Sequence, residues 1–313
     1  MKKGIEIAGT IIVDIIKEIN HFPSKGELVY INRVLKSVGG LVPNDAIDIK
    51  KIDHSIEVSV SGKIGDDENG DLIYETLRNF NIVNNLKTSS KPTSFTDVLS
   101  IVGGQRTFLN LPGANGEFGF DDVLFEYSML HLGYFTLLDK VDNGDGLRIL
   151  KTAKQKGIIT SIDMVSSDVD KYSQIIECLP YVDNLIINEY EAGKLLKTNV
   201  DETNLVESAK RLKKLGVINR VIIHMPNKSC CVDNDGSIEA NSLHIPPELI
   251  VGTTGAGDAF CSGCLVGIYH NFDNERILKM ATTIAASSLF SADATNAVIS
   301  LEEVEEFYNK YRG

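Results

Sequence analysis

Residues 252 to 258 read Gly-Thr-Thr-Gly-Ala-Gly-Asp and run straight into Ala259-Phe260-Cys261-Ser262-Gly263. Gly255, Ala256 and Gly257 have little or no side chain, so their backbone N–H groups can close around an anion at the positive end of a following helix. Asp258 then stands where a hydroxyl would meet a phosphate held in that turn, and its carboxylate can take the hydroxyl proton. The same residues also suit an ordinary turn into a helix with no catalytic task. No Lys-Ser or Lys-Thr follows the glycines, so this is not a Walker A loop, and Phe260 takes the place of the third glycine of a dinucleotide fingerprint.

Working outward, strand-like runs at 5–13, 57–64, 128–132, 158–163, 184–188 and 219–224 alternate with amphipathic stretches such as 143–156 and 203–215. The chain then ends in helical segments at 257–270, 274–290 and 301–311. That order predicts an α/β fold, doubly wound, with a mainly parallel sheet between helices. Two regions leave the pattern. Residues 15–38 and 92–112 hold short β-like pieces at 28–31, 97–102 and 107–109, bounded by Pro, Gly and Asn. They read as a small β lid able to shield reacting groups from water, or as ordinary surface hairpins. The expected division is a core of 1–14, 39–91 and 113–313 with a lid of 15–38 and 92–112.

Composition narrows the function. The 313 residues are 43% hydrophobic and carry a formal charge of −12, which argues against nucleic acid or a membrane surface as partner. Glu6 and Asp14 interrupt the first apolar run, so it reads as a buried strand and not a secretory signal, and a cytoplasmic location is expected. Five cysteines make no disulfide framework. Cys261 and Cys264 have redox-motif spacing but read as small packing residues, and no two of the six histidines have zinc-ligand spacing.

Four segments in chain order resemble the ribokinase-like (PfkB) carbohydrate kinase family: Gly9 to Asp14, Gly39-Gly40 to Ala46 (GGxxxNxA), Gly62 to Gly70 (GxxGxDxxG) and Gly252 to Asp258 (TxGAGD). The resemblance implies a ribokinase-like fold with a small β-sheet lid. It also implies an ATP-dependent kinase acting on a hydroxyl of a small sugar or polyol. In that reading Asp258 is the base, and the amides of Gly255, Ala256 and Gly257 form the anion hole. Asp14, Gly39, Gly40 and Asn44 hold the substrate. Asn188 and Glu191 match the family's NxxE, which implies a role in placing Mg²⁺, through water, and phosphate. Arg106 in Gly104-Gln105-Arg106-Thr107 is similar to the family's GxRT and is a candidate contact to substrate or phosphate, or an exposed surface arginine. Thr254, Gly257, Asn188 and His224 fall where the family binds nucleotide. Taken without the resemblance, Gly39-Gly40 would also make a tight turn, Asn44 a helix cap and Asn188 to Glu191 an acidic helix start.

The chain also departs from the family. Gly252 replaces the Asp that heads the last motif, which leaves K⁺ activation open. His224-Met225-Pro226 and Ser229 replace a Thr-x-Gly and a later Gly near the nucleotide, and His224 could face a phosphate or be a packed histidine. Asp163 to Ser167 lacks the family's Asn and Arg, and Gly133 stands where some members place a Glu. A nucleoside kinase is the alternative, with Phe108, Phe118, Phe120 and Tyr134 as candidate base contacts. A second alternative is a non-catalytic ligand sensor on the same fold. The lid edges could pair two copies into a homodimer.

Overall fold

The computed structural model describes residues 1–101, 104–166 and 172–312. Val102 of the expected lid strand and Ser167 lie outside the described residues. Among those residues the strands are β1 (Lys2–Ala8), β2 (Ile12–Ile19), β3 (Ile31–Gly39), β4 (Val58–Gly65), β5 (Val83–Ser89), β6 (Phe95–Ile101), β7 (Arg106–Leu111), β8 (Tyr127–Phe135), β9 (Ile159–Met164), β10 (Asn184–Asn188), β11 (Arg220–His224), β12 (Lys228–Val232) and β13 (Ser237–Asn241). The helices are α1 (Leu41–Ile52), α2 (Glu68–Asn79), α3 (Gly146–Gln155), α4 (Tyr172–Cys178), α5 (Glu189–Leu196), α6 (Leu205–Lys214), α7 (Ala256–Tyr269), α8 (Asn274–Ser288) and α9 (Val304–Tyr311).

The main sheet runs β13-β12-β11-β10-β9-β8-β1-β4-β5, parallel from β11 to β5 and closed at one end by the antiparallel pair β12 and β13. The middles of its inner strands β10 and β11 are apolar because both faces are covered, whereas the edge strands β5 and β13 are largely polar and exposed. In β10, Leu185 and Ile187 enter the core cluster on one face while Ile186 enters the cluster on the other, and β11 repeats this with Val221, Ile223 and Ile222. Strand order reverses around β1, which has β4 on one side and β8 on the other. In open α/β sheets ligands collect at the carboxyl ends of the strands beside such a reversal.

A second, four-stranded sheet has the order β3-β2-β6-β7. It differs from the sequence reading in detail. The expected strand 5–13 is two strands in different sheets: β1 stops at Ala8, Gly9 turns the chain at φ 146°, and β2 starts at Ile12. Asp14 therefore belongs to the small sheet instead of ending the first core strand. Residues 28–30 are not in a strand, and β3 begins at Ile31. The helix expected from 143 begins at Gly146, after a kinked turn in which Gly144 has φ 120°.

Candidate active site

The glycine-rich turn caps α7. Gly255 is its N-cap, with φ 80° in the left-handed region, and a Cβ there would lie 2.5 Å from the Ala294 side chain. Backbone conformation and close approach both require glycine at this point. The Ala256 N–H already closes a turn on Thr253 O at 3.3 Å, so of the three expected anion-hole donors it is the one committed within the chain. Gly257 is exposed at the helix start, where an unpaired N–H faces outward along the dipole.

One turn into the helix, Asp258 is 7% exposed. Asn44 Nδ2 donates to its Oδ2 at 2.7 Å and the Tyr134 hydroxyl donates to its Oδ1 at 2.9 Å. Burial pushes the carboxyl upward, and these two hydrogen bonds act against that by favouring the ionised form. Asn44 comes from the first turn of α1, which Gly40 caps, so it reaches across to α7 and is not the cap itself. Its Oδ1 is buried and has no partner among the described residues, which leaves an acceptor for a bound hydroxyl. Tyr134 has φ 59°, an unusual conformation for a bulky residue, and its N–H donates to Asp163 Oδ1 at 2.8 Å. Tyr134, Asp163, Asn188, His224, Gly257 and Asp258 line a cavity of about 230 Å³ at the strand ends.

Of the expected substrate residues, Asp14, Gly39 and Arg106 lie in the small sheet, while Gly40 and Asn44 belong to the start of α1. Pairing of β2 with β3 sets Ile12 opposite Gly39 and Asp14 opposite Ser37. A Cβ on Gly39 would meet Asp14 Oδ2 at 2.6 Å, so glycine makes room for that carboxylate. Burial raises Asp14 to about 6. Arg106, exposed on β7, points Nη1 toward Thr254 Oγ1 at 3.4 Å and so leans over the glycine turn. The Gly62 to Gly70 motif is a structural turn: Asp67 caps α2 by accepting from Gly70 N at 2.9 Å and also holds Thr93 N at 2.8 Å.

On the other side of Gly257 lies a larger, mostly apolar cleft of about 830 Å³, walled by His224, Leu243, Thr253, Phe260, Ala285 and Leu289 among others. Asn188 borders both spaces. Asn188 and Glu191 form a capping box at the start of α5, each side chain bonded to the other's backbone N–H. Ser166, which sequence reasoning did not single out, donates to Glu191 Oε1 at 2.9 Å and accepts from Asn188 Nδ2 at 2.8 Å. Burial raises Glu191 to about 7. The His224 ring stacks on Phe260 at 4.7 Å, and burial lowers it to about 4, so it is a neutral, packed wall of the cleft.

Two expected base contacts lie elsewhere. Phe118 is fully buried in the core cluster on the far face, and Phe120 packs against Phe125 and under the Arg148 guanidinium at 3.7 Å. Phe108 is exposed on β7, and of the four only Tyr134 borders the cavity. At Gly133 a Cβ would meet Leu41 Cδ1 at 2.2 Å, so Leu41 fills the space a side chain there would need.

Comparison with known proteins gives the family and the fold. The pfkB family carbohydrate kinase pattern matches residues 2–300. Ribokinase of Arabidopsis thaliana is 24% identical over 289 residues, covering 90% of this chain and 74% of that protein. The structure of Arabidopsis thaliana ribokinase complexed with ribose and ATP superimposes with a TM-score of 0.82 at 22% identity, over 98% of this chain and 99% of that one. The nucleoside kinase of Methanocaldococcus jannaschii, an archaeal member of the ribokinase family, gives 0.81 at 18% identity over 99% of each chain. Both structures share the ribokinase-like fold.

Proposed function

Because this chain belongs to the pfkB family of carbohydrate kinases, we propose that it transfers the γ-phosphoryl group of ATP to a hydroxyl of a small sugar or related polyol. The observation that carries this reading is the position of Asp258. It borders the 230 Å³ cavity one residue past Gly257, the glycine that also borders the 830 Å³ cleft. A sugar beside Asp258, on the side where Asn44 bonds to it and the small sheet carries Asp14, would have those two groups accept from its hydroxyls and present one hydroxyl to Asp258. ATP in the apolar cleft directs its terminal phosphate to the Gly255 to Gly257 turn. Asp258 takes the hydroxyl proton as the new O–P bond forms, and the open amides of the turn oppose charge on the phosphoryl oxygens.

A carboxyl and two amide or hydroxyl oxygens, from Glu191, Asn188 and Ser166, suit a water-retaining Mg²⁺ that neutralises phosphate charge when bound. Arg106, above Thr254, is placed to meet the same phosphates from the small sheet. Substrate binding by these residues, Mg²⁺ near Glu191 and a cytoplasmic setting with free thiols all belong to this proposal. So does pairing of two copies through the small sheet, whose Ile31, Val34, Phe108 and Leu109 are exposed. Among the described residues no helix is long and apolar enough to cross a membrane.

ATP consumption measured against a panel of sugars, polyols and nucleosides tests the reading. Asp258→Asn is expected to keep nucleotide binding while turnover falls by about a thousandfold, near the upper range for losing a general base. Turnover within tenfold of the parent would remove Asp258 from the role. Phosphorylation of nucleosides alone would favour the nucleoside kinase.

A further inference from the structure

Beside Asp258, the side chains of Asp45, His131 and Cys261 converge from α1, β8 and α7, with Cys261 also bordering the 230 Å³ cavity. All three are buried, with exposures of 0%, 0% and 2%. Their ligand-type atoms lie within 4.8 Å of one another. His131 Nδ1 is 2.8 Å from Ser161 Oγ, which fixes the ring and turns Nε2 to the other two groups. From Nε2 it is 3.5 Å to Asp45 Oδ2, 3.7 Å to Cys261 Sγ and 4.0 Å to Asp163 Oδ1.

The two nitrogen-to-oxygen separations exceed the usual hydrogen bond of about 2.9 Å, while the Cys261 contact is a long sulfur hydrogen bond. They match ligands around one tetrahedral ion: bonds of about 2.0 to 2.3 Å place a nitrogen roughly 3.3 Å from an oxygen and 3.6 Å from a sulfur. Asp45 Oδ2 is an independent sign, because it is fully buried, points at Nε2 and has no hydrogen-bond partner among the described residues. Its sole ion-pair partner among them is His131. The Asp45 Oδ1 accepts from Ser262 Oγ at 3.1 Å, so Oδ2 is the one oxygen of this buried carboxyl left without a partner, which is costly.

We propose that Asp45, His131 and Cys261 bind one divalent transition metal of the zinc class, with Asp163 Oδ1 the nearest further donor. Neutral imidazole, thiolate and carboxylate form a donor set that suits zinc and excludes magnesium. Binding displaces one proton from the Asp45 carboxyl and one from the Cys261 thiol, so the dication and two anions form a neutral unit in the core. The Ser161 contact is the partner a ligating histidine ordinarily has on its second nitrogen. The ion joins α1, β8 and α7 beside the proposed catalytic carboxylate, and its binding is independent of the kinase reading.

The full chain, expressed with zinc in the medium and purified without chelator, is expected to hold about one zinc per chain by elemental mass spectrometry. His131→Gln and Cys261→Ser should each fall below about a tenth of that, while Asp258→Asn keeps its zinc. Protein grown on cobalt should show thiolate-to-metal absorption that Cys261→Ser lacks. Wild-type protein with less than about a tenth of an equivalent, after expression and refolding in zinc, overturns the site, and so does zinc retained in both ligand variants. If the variants do not fold, the cobalt spectrum of the wild type decides alone, its thiolate absorption supporting the site and its absence overturning it.

Discussion

At the scale of single residues, Asp258 combines burial with two donated hydrogen bonds, and the contest between them sets its protonation. Tyr134→Phe removes one bond that favours the ionised form. The acidic limb of the pH–kcat profile should therefore move to higher pH, with activity recovered at alkaline pH. An unmoved limb would show that Tyr134 does not tune the base. Asp14 sits at about 6 because it is buried, so its carboxylate accepts sugar hydroxyls above that pH and loses acceptors below it. The KM for the sugar should rise as pH falls through about 6 in the parent, and Asp14→Asn should flatten that rise; steady-state kinetics from pH 5 to 8 checks both. Asp258 and Asn44 were legible because they sit inside short motifs. Tyr134 was read only as a base contact and Ser166 not at all, because nothing near them in sequence marks a partner 124 or 22 residues away.

At the scale of elements, the start of α7 depends on one backbone conformation. Gly255→Ala must take up φ near 80° and press its Cβ against Ala294, which should cost about 1–3 kcal/mol and close the anion site. Urea unfolding reads the first effect and ATP affinity the second; a midpoint unchanged from the parent would show that the turn relaxes freely. The alternation of strand and helix was readable because parallel strands buried on both faces carry continuous apolar runs, as 185–187 illustrates. The break at Gly9 was not, since Ile11, Ile12 and Val13 continue the same apolar run into a different sheet. Asn188 to Glu191 was read from sequence both as a motif and as a helix start. It caps α5 and borders the cavity, so the two descriptions fit one set of atoms.

For the whole molecule, the small sheet presents Ile31, Val34, Phe108 and Leu109 to solvent, with β3 and β7 at its edges. Burying that apolar surface against a second copy would be favourable. Sedimentation equilibrium should return a dimer that Phe108→Glu with Leu109→Glu converts to monomer; a monomeric parent discards the pairing. The chain's own order of residues determined the layered α/β architecture, the excursion into a second small sheet and the glycine turn ending in Asp258, because hydrophobic periodicity and tight turns are local properties. Tertiary structure alone decided which groups meet: Asn44 and Tyr134 on Asp258, Gly39 making way for Asp14, and Asp45 with His131 and Cys261, the last two 130 residues apart. Such meetings follow from strand order and helix packing, which are fixed by contacts remote along the chain and leave no mark in the spacing of the residues they join.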